Sequence, residues 1–583
     1  METHQMNPTP PSVFRGIGAF ACLALLCPAT ASVLDDQLAA VWTLAEQRSE
    51  ATVSWMNSTY GVPLMYSRYP QVGNPMTGKW TIATVNRDWR AGFWPGVLWM
   101  LSERTGSPVW KQRAVDWSNG LAASTNLDHD IGFITLGSLG KGHLANDDLT
   151  DVGGVYRSFA RQAILAAAVK LDSRFNKPVI PGVPIPAGFT RSWNTPFEDP
   201  YPVCIDNLMN LEVMFLAYEL NGRQALDRPW FDHALIHARN TIAHHLRADG
   251  STYHVVKHIE SGPSIGMIER KATVQGYGDE TTWSRGQAWA IYGFTAAYRH
   301  ANRDPGTDAS DLLAAAEAAA DYFIAHLPHH FIADPYNHRI GDFVPPSDFD
   351  AALGEPAGPW NDANNDYNST THTGLGDARP ALLGFTPRDS SAAAIAASGL
   401  LELAEVASMP AKRQGYFQAA QDILTCLITY DGPDLGTDPD YLCSVSETAH
   451  PGILKAGSVR WPGEQISLSY GDYYFLEALA RYEARTAREG FARSQQIQRV
   501  GPAFVYSFEM TSPSPTLAVR VQWTPDPANT PWTVICHKCG GASWGGAVPI
   551  EEPLPGNKVR VKISLPAPFS RGFVRILSRS IGG

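Results

Sequence analysis

The chain has 583 residues, 44% of them apolar and 18% charged, the make-up of a globular protein able to bury a large core. A formal net charge of −11 argues against a nucleic-acid partner, and any anionic ligand has to be met by local positive groups. Many of the 17 Trp and 21 Tyr fall in loop-like sequence, where rings suit carbohydrate, although core packing is the commoner use of any one ring.

Residues 1–31 read as a secretion signal. Arg15 precedes an apolar run from Ile17 to Cys27, and Ala29-Thr30-Ala31 gives a small-x-small cleavage pattern. The run is too short to span a bilayer and no later segment reaches that length, so a secreted protein without a membrane span is expected after processing. Beyond the leader stand Cys204, Cys426, Cys443, Cys536 and Cys539. Cys426 with Cys443 and Cys536 with Cys539 are candidate disulfide pairs, which leaves Cys204 over. Cys536-His-Lys-Cys539 has the spacing of half a zinc site, but no second half follows it. Asn57 and Asn368 open glycosylation sequons.

From about Leu34 to Ala487 one unit recurs: an apolar helix, a short polar turn, then an amphipathic helix. The first helices centre near Leu98, Ile164, Phe215, Tyr292, Leu400 and Leu476. Their partners include Ser107–Ser124, Pro229–Leu246, Ser310–Leu327 and Arg413–Tyr430. Helices apolar all round are buried and one-sided helices form an outer layer, so the alternation predicts an all-α (α/α)6 barrel over 32–490. A two-layer solenoid would keep a steadier period. Long loops lead into the first helices, and the turns out of them are short. Function is therefore expected at the N-terminal face of the inner helices. The Gly-, Pro- and Asn-rich stretch Pro345–Pro387 either folds over that face or is a surface insert. After about Gln495 the stretches Thr516–Thr524, Lys558–Leu565 and Gly572–Leu577 alternate apolar and polar residues, which predicts a small β domain over 495–583.

The centre of the chain is Thr273–Arg299. Gly276 and Gly278 suit a loop with positive φ, and Asp279 or Thr281 is placed to cap the helix that follows. Arg285 and Trp289 share one face of that helix, a fork and a stacking plane for a flat anion. The competing reading is a packed inner helix whose Arg caps a neighbour. Gly286, Ala290 and Gly293 form a small-residue stripe that allows close approach.

Two carboxylates stand before apolar stretches, Asp130 in a loop and Asp206 at a helix mouth. In a barrel both point into one cavity, the equipment of glycosidic-bond cleavage; the plainer role for Asp206 is a helix N-cap. Trp193, His254 and Gln275 join Arg285 and Trp289 as a sugar-and-carboxylate cradle. No phosphate-binding loop, HExxH pair or G-x-S-x-G elbow occurs.

Six blocks carry a family resemblance: Asp88–Gly96 (DWRAGFWPG), His129–Phe133 (HDIGF), Asp206–Leu211 (DNLMNL), Thr282–Gly293 (TWSRGQAWAIYG), Asp389–Ile395 (DSSAAAI) and Tyr470–Ala478 (YGDYYFLEA). In this order, over about residues 35–485, the chain resembles the unsaturated glucuronyl hydrolases of glycoside hydrolase family 88. The resemblance implies an (α/α)6 barrel that needs no metal or cofactor and acts on unsaturated uronic-acid oligosaccharides. It implies protonation of the vinyl ether at C4 and addition of water at C5, with Asp206 as general acid and base and Asp130 as second carboxylate. Trp89, Trp193 and Trp289 match stacking positions, and His129, His254, Gln275 and Arg285 match polar binding positions. Val274 stands where the family carries a histidine, which implies one lost contact. The related unsaturated rhamnogalacturonyl hydrolases, and a non-catalytic uronate-binding protein, are the alternative readings.

Overall fold

Two kinds of helix alternate along the chain, and burial separates them. In Ser284–Ala301 every residue but Tyr298 and Arg299 is buried. Phe93–Thr105 is buried from Phe93 to Leu101, and Ser390–Val406 from Ser390 to Leu401. The first half of Ser469–Ser494 is equally sunk, and Glu212–Leu220 buries Val213, Met214, Phe215, Ala217 and Tyr218. By contrast Val33–Tyr60, Pro108–Asn119, Arg228–His245, Ser310–Ala325 and Pro410–Thr429 bury one face and wet the other. These facts come from a computed structural model. It describes residues 33–126, 128–146, 154–176, 188–194, 201–259, 263–264, 266–328, 343–352, 387–429, 441–461, 465–494 and the strands between 496 and 580. The leader and most of Pro345–Pro387, including Asn368, lie outside the described residues.

One helix belongs to the other layer from the one its sequence suggests. Val155–Asp172, expected as a buried helix around Ile164, buries only the stripe Ala160, Ile164, Ala167, Ala168 and Leu171. Its place in the buried set is taken by Ile131–Thr135, the π-turn Leu136–Gly140 and Lys141–Ala145. From Ile131 to His143 all but Leu136 is buried. Four glycines and a changed turn make this stretch read as a loop.

The buried helices touch in sequence: Phe93–Thr105 with the Leu136–Ala145 turns, Ile131–Thr135 with Asn207–Asn210, and that turn and Glu212–Leu220 with Ser284–Ala301. Ser284–Ala301 packs on Ser390–Val406, which packs on Ser469–Ser494, which returns to Phe93–Thr105. Gly293 licenses one of these contacts, since a Cβ there would lie 2.5 Å from Leu208 Cβ. Short turns leave the buried helices through left-handed glycines, Gly106 at φ +67 and Gly222 at φ +75.

Strands Tyr201–Cys204, Val255–His258 and Ile268–Ala272 form a three-stranded antiparallel sheet at the N-terminal side of Asn207–Asn210. Among the described residues beyond 495, eight strands make two four-stranded antiparallel sheets, in which Leu517–Thr524, Lys558–Ser564 and Phe573–Ser580 fall on the three alternating stretches. Among the described residues no helix is long and apolar enough to cross a membrane.

Three local expectations are corrected. Cys426 and Cys443 are buried and no disulfide joins them, and Cys204 is in no disulfide either. Gly276 and Gly278 have no positive φ; Gly276 is needed for room, because a Cβ would meet Thr273 Oγ1 at 2.8 Å and Asp348 Oδ2 at 2.9 Å. Neither Asp279 nor Thr281 caps the central helix. Asp279 accepts from Thr273 N, Thr281 bonds Gly278, and Ser284 N instead donates to the Ser347 carbonyl. The cap arrives from residues 347–350, remote in sequence.

Candidate active site

The two aspartates meet because their turns pack without a side chain between them. A Cβ on Gly132 would lie 2.5 Å from Asn210 Cα, and Phe133 N donates to Asn210 Oδ1 at 2.7 Å. Asp130 and Asp206 thus head two adjoining buried turns. Strand pairing delivers the next residues: Cys204 opposes Val255, and Ile205 N donates to the His254 carbonyl at 2.9 Å. The ligand atoms of Cys204, Asp206 and His254 all lie within 4.8 Å of one another.

Asp206 occupies an N-cap position yet makes no side-chain cap bond, and its buried Oδ1 has no hydrogen-bond partner. The capping role is therefore not the one it plays. Burial pushes its carboxyl up to about 6, against the lowering charge of Arg285 and a hydrogen bond from Cys204. Asp130 is held well above the carboxylate range, by burial first and then by the charges of Asp128, Asp206 and Asp88; Arg174 opposes them. Its Oδ1 lies 3.2 Å from His129 Nε2. Burial drives His129 and His254 down to about 3, so both are neutral. His254 Nδ1 accepts from Val274 N at 3.2 Å and its ring lies 4.3 Å from that of Trp283.

Rings line the neighbourhood unevenly. Trp89 is half-buried against Phe93, Phe133 and Tyr470, and Trp193 stands edge-on to His129 at 6.4 Å. Trp289 differs: it is 1% exposed and wedged against Phe133 and Tyr474. Its faces are covered. Arg285 is also 1% exposed. It pairs with Asp389 Oδ2 at 3.0 Å and donates to the Ser458 and Val459 carbonyls, over the rings of Trp283 and Tyr470. Asp389 in turn caps Ser390–Val406 through Ser391 N and Ala392 N. Gln275 grips the same segment, donating to Val459 O at 2.8 Å and accepting from Trp461 N at 2.7 Å. Arg285 and Gln275 thus sit behind the aspartates as a brace, and Val274 is left 46% exposed at the rim.

Sequence reasoning passed over four residues here. Asp88, held by Gln71 and Arg90, and Asp128, whose Oδ1 accepts from Asp130 N, stand in or beside quoted blocks. Arg174 follows a helix end with no local signal. It donates to the Arg191 and Ser192 carbonyls and to Asn194, holding the strand end that carries Trp193. Cys204 stands in the sequence only as the cysteine left without a pairing partner.

No protein-family model matches the chain. Individual proteins do. The unsaturated glucuronyl hydrolase of Formosa agariphila is 31% identical over 444 residues, 75% of this chain and 88% of that protein. That of Bacillus sp. strain GL1 is 30% identical over 408 residues, 68% of this chain and 87% of its own length. Among solved structures, an unsaturated glucuronyl hydrolase specific for heparin superposes with a TM-score of 0.56 at 28% identity, over 78% of this chain and 98% of that one. The first of these relatives is 31% identical and the chain covers 88% of it, and on that ground the chain belongs to the unsaturated glucuronyl hydrolase family.

Proposed function

We propose that the chain removes a Δ4,5-unsaturated glucuronic acid from the non-reducing end of oligosaccharides left by polysaccharide lyases. One observation carries this reading: Asp206, half-buried with its Oδ1 fully enclosed, caps no helix and keeps its proton to about pH 6, beside His254. A carboxylic acid in that state is a proton donor for the electron-rich C4 of a vinyl ether. The carboxylate then takes a proton from the water that adds at C5, and the hemiketal rearranges with loss of the aglycone. Asp130, whose carboxyl is pushed upward by burial and its carboxylate neighbours, is the second carboxylate that helps hold the sugar. His129 and His254 supply polar contacts, and Trp89 and Trp193 supply ring faces. Gln275, Arg285 and Trp289 serve the sugar site from behind, as the wall that fixes the reacting groups.

For the whole chain we infer an (α/α)6 barrel over about 32–490, supported by the contacts of successive buried helices and of the last with the first. A small β domain over 495–583 and a cleaved leader over 1–31, hence secretion, complete the reading; composition supports both. Incubation with a lyase-generated unsaturated disaccharide in heavy water tests the chemistry. The released uronate should lack the double bond and carry deuterium at C4. Release with the double bond intact would mean ordinary glycosidic displacement, and binding without release a non-catalytic uronate receptor.

A further inference from the structure

We propose that Cys204, Asp206 and one ring nitrogen of His254 form a binding site for a single thiophilic divalent cation of the zinc and cadmium class, and that its occupation switches the hydrolase off. The three ligand atoms lie within 4.8 Å of one another. They are fixed by secondary structure, since Cys204 pairs with Val255 in the sheet and Ile205 N bonds the His254 carbonyl. Cys204 is a free thiol, 3% exposed, and Asp206 Oδ1 is buried with no hydrogen-bond partner. An unsatisfied buried oxygen beside a thiol and an imidazole is a cost that a cation would remove.

Zinc takes sulfur at about 2.3 Å and nitrogen or carboxylate oxygen at about 2.0–2.2 Å, so a tetrahedral ion draws the three atoms together by roughly 1 Å. Three protein ligands leave the fourth position to water. Thiolate and imidazole favour zinc or cadmium, whereas magnesium and calcium require sites built of oxygen. Binding exchanges the thiol proton of Cys204 for a metal–sulfur bond and releases that proton to solvent. It also holds Asp206 as a carboxylate. The switching therefore rests on the proton-donor role proposed above, while the binding does not.

Titration of the full chain with cadmium separates the two. In the wild type a cadmium–thiolate ultraviolet band should grow to saturation at this site while turnover falls by about tenfold or more, and a chelator should restore it. Magnesium and calcium should do neither. In Cys204→Ser that part of the band should vanish, and the inhibition constant, taken against the variant's own rate, should rise by about tenfold or more. Cys204→Ala repeats the test if the serine variant does not fold. Only the part of the band lost in the variants is assigned to this site, since any other reduced cysteine of the chain also takes cadmium. A band absent from the wild type, or unchanged in both variants, therefore overturns the site. Cadmium bound through Cys204 with turnover intact overturns the switch and counts separately against Asp206 as the acid.

Discussion

Asp206 holds its proton to about pH 6 because burial outweighs the Arg285 charge and the Cys204 hydrogen bond. A donor at that value is loaded below pH 6 and empty above it, so kcat should fall as pH rises through about 6. A rate flat from about pH 5 to 9 contradicts this assignment. Arg285 then makes a second prediction. Its guanidinium bridges Asp389 and the Ser458 and Val459 carbonyls from full burial. Arg285→Lys keeps the charge but cannot span those acceptors, so the thermal midpoint should drop. With the lowering charge drawn back from Asp206, the falling limb of kcat should also move to higher pH. An unmoved limb in a destabilised variant would make Arg285 a brace alone.

Between elements, the joint of Asn207–Asn210 with Ser284–Ala301 is set by Gly293, where a Cβ would stand 2.5 Å from Leu208 Cβ. Gly293→Ala should cost about 1–3 kcal/mol of stability by overpacking. It should also lower kcat, because the displaced turn carries Asp206. Thermal melts and turnover read both, and a variant as stable as wild type would show that the helices slide apart freely. This close approach was legible in the sequence, as glycines at helical spacing. So were the long helices, through the 3.6-residue period, and both aspartates, through their places before apolar runs. The stretch Ile131–Ala145 was not, because its glycines and π-turn break the period. Nor were the caps of Ser284–Ala301, which residues 347–350 supply from across the fold. Arg285 carried the residue type of an anion clamp, but which acceptor it would find is decided by Asp389, a hundred residues on.

For the whole molecule, two sets of buried groups oppose each other in pH. His129, His237, His254 and His258 are pushed by burial to about 3, and His245 well below its usual value. Each stays neutral folded but charges unfolded, so each loses stability as pH falls below about 6.5. Asp206 at about 6, with Asp472 and Glu483 at about 7, is likewise raised chiefly by burial. Folded, these acids hold protons that the unfolded chain releases, so they add stability as pH falls from about 7 to 4. Below about 4 the acids contribute nothing more, and Glu477, lowered to about 2 through Arg481 and Lys141 against burial, has still to be protonated. The five histidines outnumber the three acids, so the melting temperature should fall gently from pH 7 to 5 and steeply below 4; a melting temperature that rises from pH 7 to 5 contradicts the balance. The central claim is that this family member works through Asp206, and the most direct test compares wild type and Asp206→Asn at pH 6. The measurement is the rate at which each removes the double-bond absorbance of a lyase-generated unsaturated disaccharide. The wild type should clear the absorbance and the folded variant should be slower by about 10²–10⁴-fold; a variant within about tenfold of wild type, or a wild type that leaves the absorbance untouched, contradicts the account.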